Sequence, residues 1–350
     1  MHAPTPISRR DALKAGGAIV VSFVFAATTQ YGGAQTPASS AGQRPLDPSE
    51  VDGLLAIHAD GSVTLYTSKV DVGTGLRIAL AQMAAEELGV SPTRISVVEG
   101  DTALCPDQGG TGGSTGLTRG GNDIRAAAAT ARRALLNLGA TRLNRPATDL
   151  TIADGTVRPT GGGAGIGIGE LIGDRRFALK VDPMAPVTPV ARLTVIGKPL
   201  PRPDVPAKCT GRHVYIQDFA VPGMLHARVV RPPAIGATLV SVDEASVRAI
   251  PDVRVVRLEN FLAVVARDEW AAVRAASEIK ATWNNWEGLP GHERLDRYSR
   301  AAALERDQEI VNRGNAPAAM RAAAKTMSAT YFWPFQSHAS LGPSCAVADV

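Results

Sequence analysis

Two glycine-rich segments carry the residues best suited to gripping a ligand. Val70-Asp71-Val72-Gly73-Thr74-Gly75-Leu76 stands between a strand-like run and a helical one, and Thr111-Gly112-Gly113-Ser114-Thr115 stands in the loop before the next helical run. Glycine lets a backbone approach a ligand closely, and the first N–H groups of a helix have no intrahelical partner, so they favour an anion. Two such loops, each feeding a helix, can hold a pyrophosphate between them. Taken alone, the same letters also describe ordinary tight turns. Arg119 and Arg125 flank the second loop. Either suits a phosphate, and either also suits a solvated helix start.

The surrounding pattern supplies the elements that must position these loops. Residues 55–58 and 63–67 read as a hairpin around the Asp60-Gly61 turn. Leu76, Leu80, Met83, Ala84 and Leu88 recur at helical spacing, and Gly89 supplies the stop. Residues 94–98 return as a strand, 108–121 form a glycine-rich loop, and 123–138 form an alanine-rich helix. Residues 150–201 alternate strand and loop around Asp154-Gly155, with a glycine tract at 161–169 and a short helix at 169–173. From 208 to 283 the pattern predicts strands at 223–230, 237–242, 253–258 and 262–266, then a helix at 269–280. That alternation is an α+β module. Residues 294–327 read as helical and polar, and 331–350 as the opening of a core strand, which suggests a truncated chain.

Composition narrows the function. At 45% hydrophobic over 350 residues the chain can build two or three cores. A net charge of +4 without a lysine- or arginine-rich block argues against a nucleic-acid partner. Cys105, Cys209 and Cys345 match no zinc spacing and are too few for an iron–sulfur cluster. Ser8-Arg9-Arg10-Asp11-Ala12-Leu13-Lys14 followed by an uncharged apolar run at 15–27 reads as a twin-arginine export signal. The run is short for a membrane span. The expectation is export to the periplasm, with membrane association if the signal stays uncleaved. Residues 35–50 read as a linker.

Residues 70–136 resemble the molybdopterin-binding segment of the xanthine dehydrogenase/aldehyde oxidase superfamily. There an E-M-G-Q-G turn, a helix rich in alanine with E-L, a D-T pair and T-x-x-S follow one another. This chain has Asp71-Val72-Gly73-Thr74-Gly75, Gln82 to Leu88, Asp101-Thr102 and Thr111-Gly112-Gly113-Ser114. Residues 197–283 resemble the superfamily's α/β hammerhead domain, most closely at 204–211, 217–227 and 229–233. Pro334, His338-Ala339 and Pro343 resemble the opening of the main molybdopterin domain. The order is similar to large subunits of the isoquinoline oxidoreductase type.

The resemblance implies an α+β protein with a signal peptide at 1–34, a linker at 35–50, and a molybdopterin-binding segment at 51–195. A hammerhead domain at 196–290 and the start of the main molybdopterin domain at 291–350 complete the expected map. It implies Val72, Gly73, Thr74, Gly75, Thr111, Gly112, Gly113 and Ser114 as cofactor-binding residues, and molybdenum–molybdopterin cytosine dinucleotide as the cofactor. The implied reaction hydroxylates an aldehyde or an N-heteroaromatic carbon with water as oxygen source. Electrons would leave through a small iron–sulfur subunit and reach a cytochrome c. Thr74 departs from the family's usual glutamine, which puts that residue's direct contact in doubt. The family's G-x-G-E glutamate has no counterpart after the hammerhead and is expected beyond this chain. Gly167-Ile168-Gly169-Glu170 has the letters but precedes the hammerhead, so Glu170 is not assigned. His338 and His226 read as packing residues, and Trp283 and Trp286 as a domain edge. The competing expectations are a non-catalytic fragment and a periplasmic scaffold or binding protein.

Overall fold

The structure, a computed structural model, describes residues 44–349 except Asp174, Glu287, Leu289, Phe335, His338, Ser340, Leu341 and Pro343. The export signal, most of the expected linker and His338 lie outside the described residues. The described residues divide into two compact units, one up to His213 together with Ala348 and Asp349, and one from Val214 to Val347.

In the first unit the chain is fastened from Arg44 onward, within the stretch 35–50 expected as a linker. The Arg44 guanidinium lies 3.4 Å from the centre of the Tyr66 ring and donates to the carbonyls of Asp52 and Gly53. A helical turn α1 (Val51–Leu54) leads into β1 (Leu55–Ile57) and β2 (Val63–Thr67), which pair antiparallel as predicted. α2 (Leu76–Leu88) then crosses over to β3 (Ile95–Glu99), which runs parallel to β2. The helical period buries Leu76, Leu80, Ala84 and Leu88 on one face of α2. Gly89 ends the helix in the left-handed conformation at φ 62°, with its N–H on the Ala85 carbonyl.

The second helix begins earlier and ends later than predicted. α3 spans Asn122–Leu143, and a π-helical stretch, Gly116–Gly121, occupies the end of what reads as loop. Its alanines at 127, 128 and 131, with Ile124 and Leu135, share one core with α1, α2 and the sheet. β4 (Leu150–Ala153) and β5 (Thr156–Pro159) form a hairpin whose Asp154 and Gly155 both have positive φ, 51° and 71°. β6 (Ile166–Gly167) and α4 (Ile168–Ile172) complete this sheet layer, and α5 (Val205–Cys209) follows.

A long irregular strap, residues 180–200, is pinned to α2 by side chains in place of backbone ladders. Glu86 accepts from the N–H groups of Thr194, Val195 and Ile196. The Gln82 amide donates to the carbonyls of Val195 and Lys198. Glu87, wholly buried, accepts from Arg125 at 2.8 Å, Arg132 at 2.9 Å and the Thr188 N–H. Burial works against the charge on Glu86, but the three N–H donors outweigh it and hold its pKa below the usual value.

The second unit contains β7 (His226–Val229), β8 (Leu239–Asp243), β9 (Arg254–Leu258), β10 (Phe261–Ala266), α6 (Glu269–Glu278) and β11 (Lys280–Trp283). β10 lies between β7 and β9, antiparallel to both, and β11 pairs with β8. The Asp268 side chain caps α6 by accepting from the Ala271 N–H at 3.1 Å. Val264, Val247, Ile250, Ala275 and Ile279 form the core beneath the helix. β11 goes beyond the sequence reading, which ran the helix through Lys280. With mixed helix and sheet in both units, the α+β class holds.

Two expectations for the last sixty residues are corrected. Residues 294–327 hold only two short helices, α7 (Leu295–Ala301) and α8 (Ala316–Ala322). Gly314 at φ 73° and Pro317 in the first turn of α8 interrupt any continuous helix. The predicted core strand at 331–350 is not formed among the described residues. Tyr331, Phe332 and Trp333 are exposed, and no other described segment pairs with this stretch as a strand requires.

Candidate functional site

The first glycine loop follows β2 and ends at α2. Its geometry is set by Asp71. One carboxylate oxygen accepts from the N–H groups of Gly73 at 2.9 Å and Gly75 at 3.1 Å. The other accepts from Arg77, in the first turn of α2, at 3.1 Å. Partial burial disfavours the charged form of Asp71, yet the N–H groups of Arg77, Gly73 and Gly75 outweigh it and its pKa falls below the ordinary value. The N–H groups that the sequence offers as free anion donors are therefore already engaged, and a carboxylate fills the place expected for a ligand. What the loop presents outward is the exposed stretch Val72-Gly73-Thr74, with Val72 73% exposed. The Gly73 carbonyl accepts from Arg202 at 2.9 Å. Arg202 and Lys208 both hold Asp204, whose pKa is driven far below the carboxylate range by those two bonds.

The second loop is built differently. Gln108, buried, knits it in place: it accepts from the Thr67 hydroxyl at 2.6 Å and donates to Asp123 at 2.8 Å, while its N–H reaches Ser68 Oγ at 2.9 Å. The Lys69 ammonium donates to the carbonyls of Gly109 at 3.1 Å and Gly110 at 2.8 Å. Thr111, Gly112, Gly113 and Ser114 are all exposed. Ser114 sits at φ 59°, a left-handed conformation uncommon for a residue with a side chain. A Cβ added at Gly73, Gly109, Gly110, Gly112 or Gly113 would meet nothing within 4 Å, so these glycines border open space. Lys69, the Gly109–Gly112 backbone, Thr115 and Arg119 line a cavity of about 370 Å³.

The two loops, forty residues apart in sequence, meet. The Val70 N–H donates to Thr111 Oγ1 at 2.9 Å, and Gly116 lies against the Leu76 side chain. Arg119 is exposed at the cavity wall, whereas Arg125 is committed to Glu87 and the Thr188 carbonyl, so Arg125 serves packing. Glu170 is exposed on α4 and faces Arg142 at 3.5 Å. His226 is half-buried in β7, and Trp286 packs over Gly236. Among the described residues, no three His, Cys, Asp or Glu side chains gather into a metal site, and no helix is long and apolar enough to cross a membrane. Lys69, Gln108 and the capping role of Asp71 escape the sequence reading. The usable signal for Asp71 was an aspartate two residues before a glycine, the pattern of a side-chain-closed turn.

The model of the molybdopterin cofactor-binding domain family matches residues 8–185. A nicotinate dehydrogenase component of Pseudomonas putida is 38% identical over 309 residues, covering 84% of this chain and 26% of that protein. The beta chain of isoquinoline 1-oxidoreductase from Brevundimonas diminuta is 29% identical over 319 residues, 79% of this chain and 40% of its own length. Among solved structures, quinoline 2-oxidoreductase from Pseudomonas putida 86 matches 37% of this chain and 17% of its own at 27% identity, with a TM-score of 0.31. This chain thus spans between a quarter and two fifths of the two curated relatives.

Proposed function

This chain belongs to the molybdopterin-binding large subunits of the xanthine dehydrogenase/aldehyde oxidase family, and from that premise we propose that it is the cofactor-gripping part of a molybdenum hydroxylase. The observation that carries the reading is the meeting of the two glycine loops through Val70 and Thr111, with their glycines bordering open space. Val72, Gly73, Thr74 and Gly75 would present one edge to the pterin. Thr111, Gly112, Gly113 and Ser114 would take its phosphate side, where the cavity offers hydroxyls and a cation. The residues fit a phosphate-bearing group at the second loop. At the first loop they fit a neutral edge, because Asp71 already occupies the helix start. When bound, the molybdenum–pterin group supplies the two-electron oxidation of the substrate carbon, with oxygen drawn from water. This chain's own part is to bind and orient that group, with Asp71 and Arg202 fixing the loop that meets it.

The cytosine dinucleotide form of the cofactor, the iron–sulfur partner subunit and a cytochrome c acceptor belong to the same proposal. Nicotinate and isoquinoline, in the names of two relatives, are N-heteroaromatic, which favours a heteroarene substrate over an aldehyde. The Ser8–Lys14 sequence favours periplasmic delivery by the twin-arginine route. The test is to purify the complete large subunit with its partner, then measure molybdenum, released cytidine monophosphate, and isotope incorporation from labelled water into a heteroarene. Stoichiometric metal and labelled product are expected. A metal-free protein with this loop geometry would instead favour the periplasmic scaffold.

A further inference from the structure

The family resemblance assigns nothing to Lys69, yet its setting is unusual. The residue is 1% exposed, and among the described residues no carboxylate pairs with it. The nearby acids have other work: Asp107 accepts from the Gly109 N–H at 2.7 Å, and Asp123 accepts from Gln108. Burying an ammonium without a counter-ion is costly, and carbonyl dipoles offset only part of that cost. The fold nevertheless makes room for it. A Cβ on Gly120, in the π-helical stretch, would come 2.5 Å from Lys69 Cγ, so glycine is what lets the lysine stem pass. An ammonium has three donors, of which two reach Gly109 and Gly110. That leaves one for a ligand at the wall of the cavity that Lys69 lines together with Thr111, Thr115 and Arg119.

We propose that Lys69 is the buried counter-charge for a phosphate group seated in the Gly109–Thr115 cavity, with Arg119 gripping the same group from the exposed side. The inference rests on the cofactor reading above and deepens it: the phosphate ester of the pterin cofactor is the group that would bring the missing negative charge. Lys69 is a binding and positioning residue, because it holds the second loop by two carbonyls and the anion by its remaining donor. A clamp on two carbonyls needs no cavity beside the ammonium, and the carbonyl dipoles alone leave its positive charge only partly compensated.

The test is isothermal titration of the full chain with inorganic pyrophosphate at low ionic strength, on the wild type, Lys69→Met and Arg119→Gln. Loss of one charged hydrogen bond should weaken binding at least about tenfold in each variant. Binding in the wild type should also fall with added salt. The unliganded Lys69→Met protein should melt close to the wild type, because removing an uncompensated buried charge offsets the loss of the two carbonyl hydrogen bonds. Undiminished affinity in either variant, or no pyrophosphate binding by the wild type, overturns the proposal. Should Lys69→Met fail to fold, Arg119→Gln decides the matter, since its side chain is exposed. The two readings separate cleanly. A complete enzyme carrying molybdenum and cytidine monophosphate, beside a chain indifferent to pyrophosphate, would sink the role of Lys69 and leave the cofactor assignment standing. A pyrophosphate-binding chain in a metal-free enzyme would do the reverse.

Discussion

The two glycine loops look alike in sequence and differ in charge. Asp71-Val72-Gly73-Thr74-Gly75 brings its own anion, and the Asp71 carboxylate closes the start of α2. In the second loop Asp107 takes only the Gly109 N–H; the Gly109 and Gly110 carbonyls turn to the buried Lys69 cation and the glycines face open space. A helix start preceded by glycines is an anion site only if no residue of the loop has taken the N–H groups first. The first loop is therefore a rigid edge, and the second is the receptive one.

The comparison can be broken at the joint between the loops. Glu87 on α2 holds Arg125 and Arg132 on α3, the helices that each loop feeds. Glu87→Ala should cost about 3 kcal/mol, toward the low end for a broken buried pair because both arginines can partly rehydrate. Urea denaturation of the chain measures it, and a loss well under 1 kcal/mol would mean the loops are held in register by other contacts. Asp71→Ala should come next, at about 2 kcal/mol, since three N–H groups lose a charged acceptor while the exposed loop regains water. Asp71→Asn, which keeps one acceptor oxygen, should cost less; equal losses would show that the carboxylate charge, not the retained acceptor geometry, sets the first loop.

Acid sharpens the contrast further. Asp71 has a folded pKa below its ordinary value of about 4. Its contribution is therefore complete above that value and disappears as pH falls through the lower folded pKa. Glu86 acts with the same sign. The wild type should lose stability more steeply than Asp71→Asn below pH ~4, read from denaturation midpoints at stepped pH. Parallel curves would contradict the capping role. The smallest effect belongs to Thr74→Gln, which restores the family's usual residue at an exposed position. Stability should move by no more than about 0.5 kcal/mol. A larger thermal shift would show Thr74 to be part of the loop's own structure.

Much of the first unit was legible because its signals are local. The Leu76 to Leu88 period, the Gly89 stop and the Asp60-Gly61 and Asp154-Gly155 turns each depend on a few neighbouring residues. The candidate site was half legible. Glycine spacing located both loops, but whether an N–H is free depends on where one aspartate side chain folds back. Lys69 was invisible for a different reason. Lysine is rarely buried, so a lysine after a strand reads as surface, and only the passage beside Gly120 takes it inside. The π-helical stretch Gly116–Gly121 was hidden because glycine-rich letters favour loop. The polar, helix-favouring composition of 294–327 is overridden at Gly314 and Pro317, which break the stretch into two short helices.

The strap pinned to α2 has a consequence in the time domain. Thr188, Thr194, Val195 and Ile196 lie outside every regular element, yet their amide hydrogens rest on Glu86 and Glu87. Such hydrogens exchange with solvent only when their acceptor lets go. An irregular segment would normally exchange at once, but these four sites must wait for a carboxylate on the last turns of a helix to release them. Their protection is borrowed, so their exchange rates should follow the release of Glu86 and Glu87, with Thr188 on the buried Glu87 the slowest.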